Sequence, residues 1–234
     1  MAQAAVLDVV TLPEPLDDTM ILKEGLRFVF SGFAVWLELE QFPSSEWGQP
    51  SLVDSPRNDL EKAIHTASQE LNVYPIPAPH MTALYGIDHL SEQEVRMKFK
   101  DLSKNMLSNK GTPGWPMLRP SGFLSGVEVS GAEEGGMNMA WIEASFETST
   151  EHEKLLDQMH ENFYKGTGKQ RSGPWSPHIS LAYDNEECPI SNKYLASLVE
   201  RHPTLALPRK VEALSLWNLN GRINEWSLVD RIQL

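Results

Sequence analysis

Apolar residues recur along the 234-residue chain with two spacings that alternate from segment to segment. Runs rich in β-branched and aromatic residues predict strands, and runs with an apolar residue every three or four positions predict amphipathic helices. The predicted strands are 27–40, two segments that begin with Pro-His, 120–130, 137–147, 210–219 and 222–234. The predicted helices are 55–72, 91–106, 149–164 and 192–200.

Several helix ends and turns carry recognisable signals. Ser55 is a plausible N-cap with Pro56 at the first helical position, and Ser91 with Glu94 forms the pattern of a capping box. The glycine-rich stretch 131–136, GAEEGG, predicts a turn between two strands.

The order of elements is nearly the same in both halves of the chain: strand, helix, Pro-His strand, helix, further strands. This repetition predicts an internal duplication. We therefore expect an α+β protein in which two pseudo-symmetric lobes, with antiparallel sheets flanked by helices, face each other around a central groove. We assign residues 27–234 to this domain and residues 1–26 to a leader of unknown role.

Composition narrows the choice of partner and compartment. The formal net charge of -12 disfavours long nucleic acid, whose binding relies on many Lys and Arg contacts. No window approaches the roughly 20 apolar residues of a membrane span, and the first residues lack a secretory pattern. Cys188 is the single cysteine, which suits a reducing compartment. We expect a monomer in the cytoplasm, with the nucleus also compatible, that binds a small ligand.

The two Pro-His segments read PHMTALY from residue 79 and PHISLAY from residue 177. Residues two apart in a strand share a face, so His80 points with Thr82, and His178 with Ser180. One such triplet is a weak signal, because a chain of this composition should contain about one by chance. The shared proline, the shared tyrosine five residues after each histidine, and the equivalent positions in the two halves make the pair more specific.

This pattern resembles the two-histidine phosphoesterase superfamily, which has two His-x-Ser/Thr motifs on matching strands of a duplicated fold. PHISLAY, together with FAVWLELE near the start and EWSLVDRIQL at the end, is most similar to the cyclic phosphodiesterase branch. The leader has no counterpart, and the single cysteine excludes the intrachain disulfide of some plant members. The resemblance covers residues 27–234.

The resemblance implies hydrolysis of a cyclic phosphate on a small nucleotide to a phosphomonoester, without metal or cofactor. The substrate would be a nucleoside 2',3'-cyclic phosphate or ADP-ribose 1'',2''-cyclic phosphate. His80 and His178 would be the catalytic acid and base, and Thr82 and Ser180 would bind the phosphate. Two alternatives stay open: a phosphodiesterase that trims short 2'-5' or 3'-terminal RNA ends, and a nucleotide-binding module without turnover.

The residue types support this chemistry independently. Opening a cyclic phosphate with water requires a base for the water proton and an acid for the departing ribose oxygen, and two imidazoles supply both near neutral pH. Two hydroxyls can stabilise the charge that develops on the non-bridging oxygens. The sequence has no His-Glu-x-x-His or similar metal motif. It does not indicate which histidine is the acid.

Two aromatic residues are candidates for contacts to the base or ribose. Trp36 shares a strand face with Ala34 and Glu38, so it either fills a seam between the lobes or offers a stacking surface to a nucleobase. Strict alternation places Tyr183 on the face opposite His178, which favours core packing. The resemblance nevertheless implies that Tyr183 contacts substrate.

Overall fold

The structure is a computed structural model. It describes residues 26–42, 58–108, 115–128, 139–171, 173–185 and 187–234. The leader up to residue 25, the predicted cap at Ser55 and Pro56, and the predicted turn at 131–136 lie outside these ranges. No helix in the described ranges is long and apolar enough to cross a membrane.

Seven strands form one sheet in the order β3-β4-β5-β2-β1-β6-β7, and every neighbouring pair is antiparallel. The strands are β1 Phe33–Leu39, β2 His80–Ile87, β3 Pro120–Glu128, β4 Met139–Phe146, β5 His178–Asn185, β6 Val211–Asn218 and β7 Ser227–Gln233. The helices are α1 Asp59–Leu71, α2 Glu92–Ser108, α3 Thr150–Tyr164 and α4 Asn192–Arg201. The predicted α+β class with antiparallel strands and flanking helices is confirmed.

The two lobes meet at the centre of the sheet, where the Pro-His strands β2 and β5 lie side by side. The register between them is set by Met81 opposite Ile179, and both side chains are fully buried. The strands of the two lobes therefore form one continuous sheet rather than two separate ones. This arrangement brings together motifs that are 98 residues apart in the chain.

The two faces of the sheet differ in character. One face packs against the helices and carries the main apolar core, which includes Val35, Leu37, Met81, Ile179 and Leu214. The opposite face carries His80 and His178, and we call it the histidine face. On β4, the residues at 140, 142, 144 and 146 belong to the core, so Glu143 and Ser145 lie on the histidine face.

Local polar contacts fix the helix ends. Ser91 and Glu94 form the predicted capping box: the Ser91 amide donates to Glu94 Oε2 at 2.8 Å, and the Glu94 amide donates to Ser91 Oγ at 3.4 Å. In α3, the Ser149 hydroxyl caps the amide of His152, whose ring Nδ1 in turn accepts from the Ser149 amide. His152 is thus a structural residue.

A buried ion pair ties the start of α1 to the chain before β6. Arg209 is completely buried, pairs with Asp59, and donates to the carbonyl oxygens of Glu40 and Thr204 at 2.8 Å each. Burial acts to raise the pKa of Asp59, but the hydrogen bonds from Arg209 and from the Phe42 amide outweigh it and lower the pKa below its ordinary value. The carboxylate is therefore ionised and held by its partners.

Candidate active site

Four side chains of the two motifs lie together at the centre of the histidine face. With Met81 opposite Ile179 in an antiparallel pair, His80 lies beside Ser180 and Thr82 lies beside His178. Each histidine thus has the hydroxyl of its own motif along the strand and the hydroxyl of the other motif across it. The strand register explains how these four residues, which the sequence motifs single out, come together.

The two imidazoles are anchored in the same way. His80 Nδ1 lies 2.7 Å from the carbonyl oxygen of Ala78, and His178 Nδ1 lies 2.9 Å from the carbonyl oxygen of Ser176. Because a carbonyl oxygen only accepts, each Nδ1 must carry the proton. In both histidines, Nε2 is therefore the atom available for proton transfer.

His80 is buried against an apolar side chain. The residue is 6% exposed, and its ring stacks on Trp36 with a centroid separation of 3.4 Å and an interplanar angle of 5°. Burial lowers the pKa of His80 to about 3. The hydrogen bond to Ala78 opposes this shift, and the nearby charge of His178 adds to it. At neutral pH, Nε2 of His80 is unprotonated and can accept a proton.

The surroundings of His178 are more polar. Its side chain is 35% exposed, and its Nε2 lies 3.8 Å from Oε2 of Glu143. Glu143 is mostly buried, and its Oε1 accepts a hydrogen bond from Ser145 Oγ at 2.9 Å. The two histidines therefore make the same type of Nδ1 hydrogen bond to a backbone carbonyl oxygen, but the side chains around their rings differ.

A β-bulge in each Pro-His strand changes the side that the following residues face. In β5, Ile142 of β4 pairs with Ala182 and Glu143 pairs with Ser180, so Leu181 is the extra residue. In β2, Val35 pairs with Leu84 and Trp36 with Thr82, so Ala83 is the extra residue. Each bulge lies three residues after the motif histidine, which is further evidence of duplication.

The bulge places Tyr183 on the histidine face, so the placement expected from strict alternation is wrong. Tyr183 donates a hydrogen bond from its hydroxyl to Ser180 Oγ at 2.6 Å. Because Ser180 Oγ accepts this hydrogen bond, its own hydroxyl hydrogen is left to donate elsewhere. The contact of Tyr183 with base or ribose stays a prediction.

The geometry of Trp36 does not agree with the predicted base-stacking role. The side chain is 1% exposed, with His80 on one face of the ring and Trp217 on the other at a centroid separation of 4.4 Å. No base can stack on a ring whose two faces are covered. Trp36 instead forms the apolar support of His80, which corrects the prediction from sequence.

A cavity of about 420 Å³ opens between β2, α3 and the loop before β5, and of the four motif side chains only Thr82 is among its lining residues. Its wall includes Thr82, Tyr85, Tyr164, Trp175 and Ser176. Trp175 spans the gap between the two segments, because its Nε1 donates to the carbonyl oxygen of Thr82 at 2.9 Å. The side chain of Tyr85 is 49% exposed, which makes it an accessible aromatic surface next to the motifs.

The loop residues Lys169 and Arg171 line the same cavity but are paired with acids. Arg171 pairs with Glu153 and with Asp157, and Lys169 Nζ lies 3.4 Å from Asp88. Within the described ranges, His, Cys, Asp and Glu side chains do not gather in groups of three that could hold a metal ion.

Sequence reasoning missed Glu143 and Trp217. Glu143 could have been found from the pattern of β4, because an acidic residue stands on the strand face shared with Ser145 and opposite a continuous apolar row. Trp217 lies on the face of β6 shared with Ser215, to whose Oγ it donates a hydrogen bond at 3.0 Å. Its position over Trp36 depends on the pairing of β1 with β6, which no local pattern contains.

A scan of the sequence against protein-family models finds no match, and a search of curated proteins finds none. Solved structures that are similar to this chain at a low level include the following three. E. coli LigT complexed with 3'-AMP is 11% identical, with a TM-score of 0.40 over 88% of this chain and 98% of that one. A structure described as a phosphoesterase is 13% identical, with a TM-score of 0.40 over the same shares of the two chains.

The third similar structure is Kluyveromyces marxianus Usb1 with uridine monophosphate, which is 10% identical, with a TM-score of 0.43 over 86% of this chain and 98% of that one. TM-scores below 0.5 do not establish a family or an activity. The case for the site therefore depends on its own residues.

Proposed function

We propose that the chain is a two-histidine phosphoesterase that hydrolyses cyclic phosphates on small nucleotides to phosphomonoesters without a metal ion. The substrates would be nucleoside 2',3'-cyclic phosphates or ADP-ribose 1'',2''-cyclic phosphate. The observation that carries the proposal is the paired arrangement of the motifs, in which both imidazoles are anchored through Nδ1 and present Nε2 beside two hydroxyls.

The different surroundings of the two histidines support different roles for them, with His80 as the base and His178 as the acid. Nε2 of His80, which is unprotonated at neutral pH, would take a proton from water as the water oxygen forms its bond to phosphorus. The bond from phosphorus to a ribose oxygen breaks, and that oxygen would take the proton from Nε2 of His178. His80 then returns its proton to solvent, and His178 regains one.

The hydroxyls would stabilise the charge on the non-bridging oxygens. Ser180 is suited to this because its Oγ accepts a hydrogen bond from the Tyr183 hydroxyl, so its own hydroxyl hydrogen can point to the phosphate. Thr82 lies beside His178 in the strand register and would act on the other side of phosphorus. Removing one such donor costs an enzyme about 3 kcal/mol of transition-state stabilisation.

We place the nucleoside in the cavity that begins at Thr82. A volume of about 420 Å³ lies within the range of about 300 to 1,000 Å³ that is typical of small-molecule sites. The exposed ring of Tyr85 would provide the stacking surface that Trp36 does not provide. The paired charges of Lys169 and Arg171, with the net charge of -12, favour a small ligand over a long polynucleotide.

The test is turnover of a substrate panel in excess EDTA, with products separated by chromatography and identified by ³¹P NMR. The panel contains nucleoside 2',3'-cyclic phosphates, ADP-ribose 1'',2''-cyclic phosphate, and short oligonucleotides with 2'-5' or 3'-terminal linkages. We expect monoesters from the cyclic phosphates.

Three other results would overturn the proposal. Turnover of the oligonucleotides alone would indicate an RNA-end phosphodiesterase, and binding without turnover would indicate a nucleotide-binding module. Activity that EDTA abolishes and Zn²⁺ or Mn²⁺ restores would indicate a metallophosphoesterase.

A further inference from the structure

We propose that Glu143 is a positioning residue that holds His178 as the proton donor of the pair. The inference rests on the proposed function, since it assigns a role within the same reaction. It starts from the observation that a mostly buried carboxylate lies on the histidine face with one oxygen 3.8 Å from His178 Nε2.

The two carboxylate oxygens of Glu143 have different partners. Oε1 accepts from Ser145 Oγ at 2.9 Å, and this bond directs Oε2 towards His178. Both residues belong to β4, the strand that pairs with the second motif: Ser145 lies opposite His178, and Glu143 lies opposite Ser180. The carboxylate is therefore fixed by the strand register and by one hydrogen bond.

The separation of 3.8 Å suits a positioning role. A carboxylate at hydrogen-bonding distance, near 2.8 Å, would engage the Nε2 proton itself. At 3.8 Å, the carboxylate stabilises a positive imidazolium by charge while the Nε2 proton stays free for the leaving oxygen. In the part of the chain that the structure describes, Glu143 from β4 and His80 from β2 interact electrostatically with His178, and the Tyr183 hydroxyl lies on the same face, bonded to Ser180. Burial keeps His80 neutral.

The internal duplication gives a second, independent argument. In the first lobe, the residue opposite the motif hydroxyl Thr82 is Trp36, and in the second lobe, the residue opposite Ser180 is Glu143. Equivalent positions thus hold an indole against His80 and a carboxylate near His178. Glu38 lies opposite His80 in the strand register, but its carboxylate pairs with Arg231. The duplication therefore places an apolar ring on His80 and a carboxylate near Nε2 of His178, which distinguishes the two histidines.

A buried carboxylate is also costly at a site that receives a phosphate, unless a positive charge lies beside it. The Ser145 hydroxyl satisfies one oxygen but supplies no charge. A protonated His178 supplies the charge, which is a physical reason for a glutamate at this position.

The test compares Glu143→Gln with Glu147→Gln, an identical change at an exposed glutamate just beyond the end of β4. For Glu143→Gln, we expect kcat on a nucleoside 2',3'-cyclic phosphate to fall about tenfold at pH 7 with little change in KM. Glu147→Gln should match the wild type in kcat and in KM.

A folded Glu143→Gln variant with wild-type kcat would overturn the inference. Should that variant not fold, Glu143→Asp keeps the charge but withdraws the carboxylate by one methylene, and we expect a lower kcat from it. Wild-type kcat in Glu143→Asp would equally overturn the inference. Failure of the proposed function looks different, because the wild type would then lack turnover or His178→Ala would retain it.

Discussion

The burial of His80 makes the stability of the protein depend on pH in a way that can be calculated. The pKa of His80 is about 3 in the folded chain, against 6.5 for an ordinary histidine. Between these values, the unfolded chain binds a proton that the folded chain does not bind. Stability due to the neutral ring is therefore fully present above pH 6.5 and is lost as pH falls towards 3.

The size of the effect follows from the same two values. One pH unit corresponds to about 1.4 kcal/mol, so acidification from pH 6.5 to pH 5 should cost the folded protein about 2 kcal/mol through His80 alone. The cause is the dry contact with Trp36, whose ring covers the imidazole at 3.4 Å.

The assay is urea unfolding followed by tryptophan fluorescence at pH 7 and pH 5, for the wild type and for His80→Gln. Glutamine does not titrate, and the other ionisable groups are common to both proteins, so subtracting the variant isolates His80. We expect the wild type to lose about 2 kcal/mol more than His80→Gln between the two pH values. An equal loss in both proteins would show that water reaches the ring, and the reasoning from burial would be wrong.

Three further predictions concern single side chains. Arg209→Met should lower the free energy of unfolding by about 3 to 5 kcal/mol in urea titration, because it leaves the Asp59 carboxylate buried without its partner; a loss below 1 kcal/mol would contradict this. Tyr183→Phe should lower kcat about tenfold at unchanged stability, because Ser180 loses its hydroxyl partner, and a wild-type kcat would refute the role. Tyr85→Ala should raise KM for a nucleoside 2',3'-cyclic phosphate about five- to a hundredfold, whereas Tyr85→Phe should keep a KM near that of the wild type, because the ring stacks on the base. A wild-type KM in Tyr85→Ala would show that the nucleoside does not bind in this cavity.

The sequence predicted the elements well because each depends on a local pattern. The helix predicted at 55–72 is observed at Asp59–Leu71, and the strand predicted from residue 27 begins only at Phe33. The chain turns just before Phe33, at Gly32, whose φ of +77° is a conformation that favours glycine. Similarly, the strand predicted from residue 222 begins at Ser227, because a short 3₁₀ turn occupies Ile223–Glu225.

The finer geometry of the site depends on pairing between distant strands and could not be predicted locally. The bulge at Leu181 that turns Tyr183 to the histidine face exists only relative to β4. The strand face of Trp36 was predicted correctly, but its burial depends on Trp217, which is 181 residues further along the chain. Glu143 likewise comes close to His178 only through the register of β4 with β5, which no local pattern contains.

The most direct test of the account is kcat for a nucleoside 2',3'-cyclic phosphate in excess EDTA, measured for the wild type, His80→Ala and His178→Ala. We expect each variant to fold and to lose at least about a hundredfold in kcat, which is the usual cost of removing a general base or acid. Thr82→Ala, which removes a donor to the non-bridging oxygens, should also cost about a hundredfold, in line with about 3 kcal/mol for one donor. A folded His80→Ala or His178→Ala variant with near wild-type turnover would contradict the paired-histidine mechanism.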